Sequence, residues 1–309
     1  MAERYDVIVI GAGIAGLTAG IYLKRSALKS LLLEKSAPGG RLLNIHAIDN
    51  YPSEPLIAGP DLAAKILGHA TELGVAIDYG NVQSVVKQAD HFLVVSDMAS
   101  YETSAVIVAT GTTTKTFGVP GEKEFNGRGV SYCATCDGHF FKGKDVMVVG
   151  YKDRAVEEAI YLSSLVRHLY FVLPQPLETT EVHEATLKSL DNVELLPGAT
   201  LKSIAGDKLV TSAQVQRADG SQKDYAIAGI FPLAGEKSSS DFLAGLNPKN
   251  RNGFLNADND LMTSVPGVFA CGDILDKKLR QLVNAAGEGA LAATSAISYV
   301  HSLSKGLPH

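Results

Sequence analysis

Apolar residues along this chain gather in short β-branched runs that end in glycine, separated by stretches with helical spacing. The first run, Val7 to Ile10, leads into Gly11-Ala-Gly13-Ile-Ala-Gly16 and then an apolar helical stretch through Leu23. Strand, glycine turn and helix in that order predict the opening of a doubly wound α/β unit. Ser30-Leu-Leu-Leu-Glu34 predicts a second strand that ends in a carboxylate. Ala105 to Gly111 reads as a buried strand ending in a turn, and Thr263 to Asp273 as a strand whose end presents another carboxylate. Shifting the chain by 139 positions lays Asp6–Leu23 over Asp145–Leu162, so the unit occurs twice. Each copy predicts a three-layer α/β domain with a mostly parallel central sheet.

The first glycine turn has the chemistry of a dinucleotide site. Gly11 permits the tight turn, Gly13 lets main chain approach a pyrophosphate, and Gly16 lets the helix pack on the strand. The phosphate then meets the positive end of the helix. Glu34, about 20 residues on, is placed to accept hydrogen bonds from an adenosine ribose.

Bulk properties narrow the setting. A length of 309 residues suggests two compact units, and 46% hydrophobic with 20% charged residues is ordinary globular composition. No apolar run approaches the roughly 18 to 20 residues of a membrane span, and the start runs straight into a strand, so the cytoplasm is the expected compartment. A net charge of −5 argues against a general nucleic-acid binder. Three cysteines are too few for a disulfide framework.

Several segments resemble the motifs of two-dinucleotide flavoprotein disulfide reductases. These are Pro38-Gly-Gly40-Arg41-Leu42, the Thr110-Gly111 turn, Gly272-Asp273, and Arg280-Gln281-Leu282 followed by Ala285 to Gly289. The resemblance implies two Rossmann-like dinucleotide-binding domains, the second inserted into the first, with FAD as cofactor. It implies that Asp273 bonds the ribityl chain and that Arg280 to Gly289 belong to a closing helix whose N-terminus faces the flavin ring. It also adds Asn50 to the FAD residues.

Cys133-Ala-Thr-Cys136 places two thiols three residues apart, followed by Asp137. If Cys136 lies near a helix start, main-chain N–H groups favour its thiolate, the two sulfurs can close a disulfide, and Asp137 can move a proton to the departing thiolate. A zinc site is the competing reading, with His139 extending the motif and Cys271 as a fourth ligand. The Cys-Ala-Thr-Cys-Asp-Gly string closely resembles low-molecular-weight thioredoxin reductases. That resemblance implies a homodimer, a swivelling of the two domains, a flavin-facing Cys136, and a Cys133 that attacks the substrate disulfide.

The second copy departs from the family. After Asp145 to Val149 the turn reads Gly150-Tyr-Lys152-Asp-Arg154-Ala155, with Lys152 where the second glycine belongs. The next strand and loop, Leu169 to Glu178, contain no basic residue for a 2′-phosphate, and Leu173 stands at the position of Glu34. NADP(H) is therefore expected not to bind, unless Lys152 and Arg154 substitute for the glycine contacts or Glu178 reaches back to the ribose. This pattern resembles the ferredoxin-dependent flavin thioredoxin reductases, which implies ferredoxin as donor and thioredoxin as acceptor. A basic docking patch is expected from Lys152 with Arg154, or from Lys277 and Lys278. An NADPH-dependent reductase and a flavin redox sensor without turnover are the alternatives.

The expected division is 1–114, 115–243 and 244–309, with the first and last segments forming the FAD domain. Gly118-Val-Pro-Gly121 and Gly235 to Asp241 are the expected hinge. The tail from His301 is expected to be loosely ordered, and Tyr299 and His309 are candidates to stack on a cofactor.

Overall fold

The computed structural model describes residues 3–45, 47–246, 248 and 253–305. The chain enters its first unit on β1 (Glu3–Ile10), turns into α1 (Ile14–Lys24) and returns as β2 (Ser30–Glu34). A 3₁₀ segment, Gly40–Asn44, leads to α2 (Gly59–Glu72). Four strands follow: β3 (Ile77–Tyr79), β4 (Val82–Lys87), β5 (Phe92–Ser96) and β6 (Ser100–Val108). The chain leaves this unit on β7 (Thr112–Thr114).

The second unit begins with the one-turn helix α3 (Ala134–Asp137), then β8 (Asp145–Val149), α4 (Asp153–Ser163), β9 (His168–Leu173), α5 (Glu181–Lys188) and β10 (Val193–Pro197). It continues through β11 (Thr200–Gly206), β12 (Val210–Gln216), β13 (Gln222–Ala226) and β14 (Gly229–Pro232). The chain returns on β15 (Glu236–Ser238), which pairs with β7, and ends with β16 (Val268–Ala270) and α6 (Leu282–Lys305). The two units are residues 1–113 with 237–309, and residues 114–236.

In the first unit β1 lies between β2 and β6, all parallel, and β3 extends the parallel edge. The long β6 pairs antiparallel with β5 through its first half and parallel with β16 through its second. Because β1 is covered on both faces, Val7 to Ile10 read as one continuous apolar run, each 4% exposed or less. Helix α6 packs against α1 so closely that a β-carbon at Gly289 would come within 2.2 Å of the Ala15 carbonyl oxygen.

The second unit has a four-stranded parallel sheet in the order β10-β9-β8-β14 and a three-stranded antiparallel sheet of β11, β12 and β13. Alternation along β8 divides its side chains between two cores. Val146 and Val148 meet Val156, Ala159 and Leu162 of α4, whereas Met147 and Val149 face Ile204, Ala213 and Val215 of the antiparallel sheet.

The outward crossing, at 113/114, falls within one residue of the expected boundary, and the return crossing, at 236/237, lies within Gly235 to Asp241 but ahead of the expected 243/244. Gly118 to Gly121 do not form a hinge; they are fastened inside the second unit. The Gly118 N–H donates to Glu122 at 2.8 Å, the Ile204 N–H donates to the Pro120 carbonyl at 2.9 Å, and Gly121 lies against the main chain of Ile204. The return crossing precedes residue 243 because Leu243 is fully buried in the first unit's core and Ser238 donates to the Gly253 carbonyl.

Candidate functional site

In the first unit the turn between β1 and α1 is built by main-chain bonds. The Gly11 N–H donates to the Leu33 carbonyl at 2.8 Å, and the Gly39 N–H to the Ala12 carbonyl at 2.7 Å. Gly11 has φ 101°, a conformation that disfavours side chains. A β-carbon at Gly16 would fall 1.8 Å from the Gly11 carbonyl oxygen, so helix and turn touch there. At Gly13, by contrast, a β-carbon would meet nothing within 4 Å. That open space lies at the N-terminus of α1, whose first turn carries no acidic residue, so its orphan N–H groups and dipole are available to an anion.

Glu34 is buried at the end of β2, and its carboxylate accepts the Ala12 N–H at 2.7 Å and the Ser36 N–H at 2.9 Å. A carboxylate has lone pairs beyond those two, which leaves acceptor capacity for a ribose. Arg41, from the Gly39–Gly40 turn, reaches Asp273 and the Thr112 hydroxyl, each at 3.3 Å. Asn50 donates to Gln281 at 3.0 Å. Arg280 donates to the Asp273 carbonyl at 2.5 Å and lies 4.5 Å from the Phe254 ring centre. The Thr110 hydroxyl donates to the Ser239 carbonyl at 2.6 Å, and Gly111 takes φ 62°. Gly40 approaches the cradle, where a β-carbon would lie 3.2 Å from the Gly13 Cα; Leu42 is buried beneath the same turn. The residues that the sequence singles out for a dinucleotide thus converge within one unit, and the glycine cradle fits the pyrophosphate of FAD.

Two supporting residues were not legible in the sequence. Glu288 of α6 accepts the Gly272 N–H at 2.8 Å and pairs with Lys277 at 2.6 Å, which steadies the Gly272-Asp273 turn. No spacing rule links positions 272, 277 and 288. Lys277 is therefore largely buried in an ion pair and does not belong to an open basic patch. Tyr299 is partly buried against the first unit's core and packs edge-on against Phe269 with ring centres 6.0 Å apart. His309 lies outside the described residues.

In the second unit Cys133 and Cys136 form a disulfide, with Cα atoms 5.3 Å apart. Cys133 is the N-cap of α3, and its sulfur accepts the Cys136 N–H at 3.2 Å. Cys136 thus sits in the first turn of a helix. The Ser131 hydroxyl donates to Asp137 at 2.5 Å, holding that carboxylate beside the dithiol segment. The Ala134 N–H donates to Glu158 of α4 at 2.7 Å, a contact that nothing in the local sequence announces. While the two sulfurs are joined, neither is a thiolate ligand for zinc. Cys271 is fully buried in the first unit's core, where burial pushes its thiol up to about 12. Among the described residues the group able to hold a metal is Asp153, Glu157 and His183, which includes no cysteine.

The second copy of the turn keeps the two corresponding main-chain bonds. The Gly150 N–H donates to the Val172 carbonyl at 3.1 Å and the Glu178 N–H to the Tyr151 carbonyl at 2.8 Å, each 139 positions on from its counterpart. Lys152 is the N-cap of α4, with φ −87° and ψ 162°, close to the −71° and −177° of Gly13. A lysine side chain therefore leaves the main chain where Gly13 leaves open space. Asp153 places a carboxylate in the first turn of α4, where it accepts from the Thr179 hydroxyl and pairs with His183 at 2.8 Å. These bonds hold the Asp153 carboxyl below its usual range. Arg154 is bound to Glu158 and Glu236, each at 3.0 Å, and so is not an open docking charge. Leu173 is buried at the position of Glu34, while Glu178 contributes its main chain and keeps an exposed side chain.

A phosphate cradle with a ribose carboxylate in one unit and a disulfide on a short helix in a second nucleotide-type unit define a dinucleotide-dependent disulfide oxidoreductase. The chain belongs to the pyridine nucleotide-disulphide oxidoreductase family, whose model matches residues 5–289. It is 38% identical to thioredoxin reductase of Bacillus subtilis strain 168 over 306 residues, 98% of this chain and 97% of the other. A solved thioredoxin reductase from Streptococcus pyogenes MGAS5005 superposes with a TM-score of 0.93 at 36% identity, covering 98% and 100% of the two chains. A ferredoxin-flavin thioredoxin reductase from Clostridium acetobutylicum matches with a TM-score of 0.56 at 30% identity, covering 98% and 99%. The chain is accordingly a flavoprotein oxidoreductase of the thioredoxin reductase group, with FAD as cofactor and a redox disulfide. No helix among the described residues is long and apolar enough to cross a membrane.

Proposed function

We propose that this protein reduces thioredoxin through the Cys133–Cys136 dithiol, and that its electrons come from a one-electron donor of the ferredoxin class rather than from NADPH. The observation that carries the donor reading is Lys152, a side chain standing at the main-chain position where the working copy has Gly13. Three further features support it. The first turn of α4 already holds its own anion, Asp153. The cavity beside Lys152, Arg154 and Tyr132 measures about 90 Å³, far below the roughly 300 Å³ at which ligand sites begin. The cleft of about 610 Å³ at the end of β9 is lined by Leu173, Pro174, Pro176 and Leu195. The lysine at its edge, Lys188, is paired with Glu184 at 2.6 Å.

FAD, when bound, supplies a carrier that can collect single electrons and deliver a pair. This chain's residues do the rest. The Gly11–Gly16 turn and Glu34 hold the dinucleotide. Two electrons and two protons open the disulfide into two thiols, and Asp137, fixed by Ser131, is placed to handle a proton at the sulfurs. Cys133, at the helix start, attacks the substrate disulfide, and Cys136 closes the ring again to release it. The active form is a homodimer, a part of the proposal that rests on the family resemblance.

The test is an anaerobic titration that follows flavin absorbance with NADPH, NADH and reduced ferredoxin added in turn, followed by a thioredoxin turnover assay. Bleaching by ferredoxin alone is the expected result. Rapid bleaching by NADPH overturns the donor reading and leaves a conventional nicotinamide-dependent reductase.

A further inference from the structure

Arg154 has no role in the proposed chemistry, yet it lies between two nearly buried carboxylates of the second unit. It occupies the position equivalent to Ala15 of the first copy, within the second nucleotide turn. Its Nε donates to Glu158 at 3.0 Å, one helical turn along α4, and its terminal nitrogen pairs with Glu236 at 3.0 Å. Both carboxylates are nearly buried, with side chains 11% and 7% exposed. Burial pushes the Glu158 carboxyl up, and the guanidinium and the Ala134 N–H oppose that rise. A lone carboxylate there, facing a second one, would lack its countercharge.

The other oxygen of Glu158 accepts the N–H of Ala134, a fully buried residue bonded directly to Cys133. The neighbouring donors are already committed: the Cys136 N–H goes to the Cys133 sulfur and the Asp137 N–H to the Cys133 carbonyl. Glu158 therefore fixes the backbone on the far side of Cys133 and places a negative charge next to it.

We propose that Arg154 is a positioning residue for the redox disulfide: clamped between Glu158 and Glu236, it orients Glu158 on the Ala134 N–H and offsets the negative charge beside Cys133. A residue of the second nucleotide turn thus also adjusts the dithiol. This inference stands apart from the choice of electron donor, since it concerns the equilibrium between disulfide and dithiol.

Two variants separate an electrostatic role from a merely structural one because they act with opposite sign. R154S leaves Glu158 without its countercharge and disfavours a thiolate at Cys133. E158Q keeps an acceptor for the Ala134 N–H and removes the negative charge, which favours that thiolate. The FAD-bound protein is equilibrated in dithiothreitol buffers of graded ratio, trapped with a maleimide and counted by mass. Reduction to the dithiol is expected to become roughly tenfold less favourable in R154S and roughly tenfold more favourable in E158Q, about 30 mV in opposite directions. R154K, with one charge and no fork, is expected to fall between wild type and R154S. Shifts in the same direction, or changes below about twofold in both, overturn the proposal. If R154S does not fold, E158Q alone decides it: an unchanged or lowered tendency to reduce is refuting, whatever the result with NADPH or ferredoxin.

Discussion

The comparison between the two turns can be run in reverse by giving the first copy the residue of the second, Gly13→Lys. Gly13 lies at φ −71° and ψ −177°, a conformation open to any residue, and a β-carbon there meets nothing within 4 Å. Folding should therefore suffer only the loss of a favourable N-cap, about 1 kcal/mol, or roughly 2 to 4 °C in the melting temperature of the FAD-free protein. Binding should suffer far more. A side chain in the pyrophosphate's space forfeits charge-assisted bonds worth about 1.5 to 3 kcal/mol each, and two of them amount to roughly 10² to 10⁴ in Kd. The assay pairs a melting curve of the stripped protein with FAD retention after gel filtration, and G13A serves as the variant that adds a β-carbon alone. If G13K keeps FAD stoichiometrically, a lysine in this turn does not exclude a pyrophosphate, and the argument from Lys152 fails with it.

Other outcomes follow from the same contacts. G16A drives a β-carbon to 1.8 Å from the Gly11 carbonyl and is expected to lower the melting temperature and release FAD together, whereas the Ala155 found at that position of the second copy is tolerated because Gly150 lacks the positive φ of Gly11. With its thiol raised to about 12 by burial, Cys271 should not react with iodoacetamide in the native protein, so reduction should expose two reactive thiols in both wild type and C271S; a third in wild type would refute this. Arg167 holds the Asp145 carboxyl below its ordinary value, so this pair stabilises the fold above the unfolded carboxyl's pKa and loses its contribution as pH falls through the lower folded-state value. D145N should flatten that acid limb in melting curves taken between pH 7 and 3, and an unchanged limb would count against it.

The parts of this molecule that rest on local rules were legible in the sequence. β2 ends at Glu34 and the turns sit where the 139-residue shift puts them, because glycine geometry and β-branched runs are properties of neighbouring residues. Of the two expected hinge strands, Gly235 to Asp241 contains the return crossing, whereas Gly118-Val-Pro-Gly121 was misplaced because it signals a turn without indicating what lies against it, and Ile204 is more than 80 residues away. The Arg154–Glu158 spacing of four was visible on the helix, but its meaning depended on Ala134 and Glu236, which only tertiary structure brings near. Lys277 and Lys278 look alike as a charge run. The fold buries the first against Glu288 and leaves the second exposed.

The two nucleotide turns are held shut by bonds from main chain to main chain, Gly39 to Ala12 in one copy and Glu178 to Tyr151 in the other. Neither bond requires a ligand or a particular side chain. Mutational drift in such a turn is therefore screened for what it binds and scarcely for whether it folds. A duplicated scaffold of this kind can change what one half binds while the polypeptide remains foldable at every intermediate step.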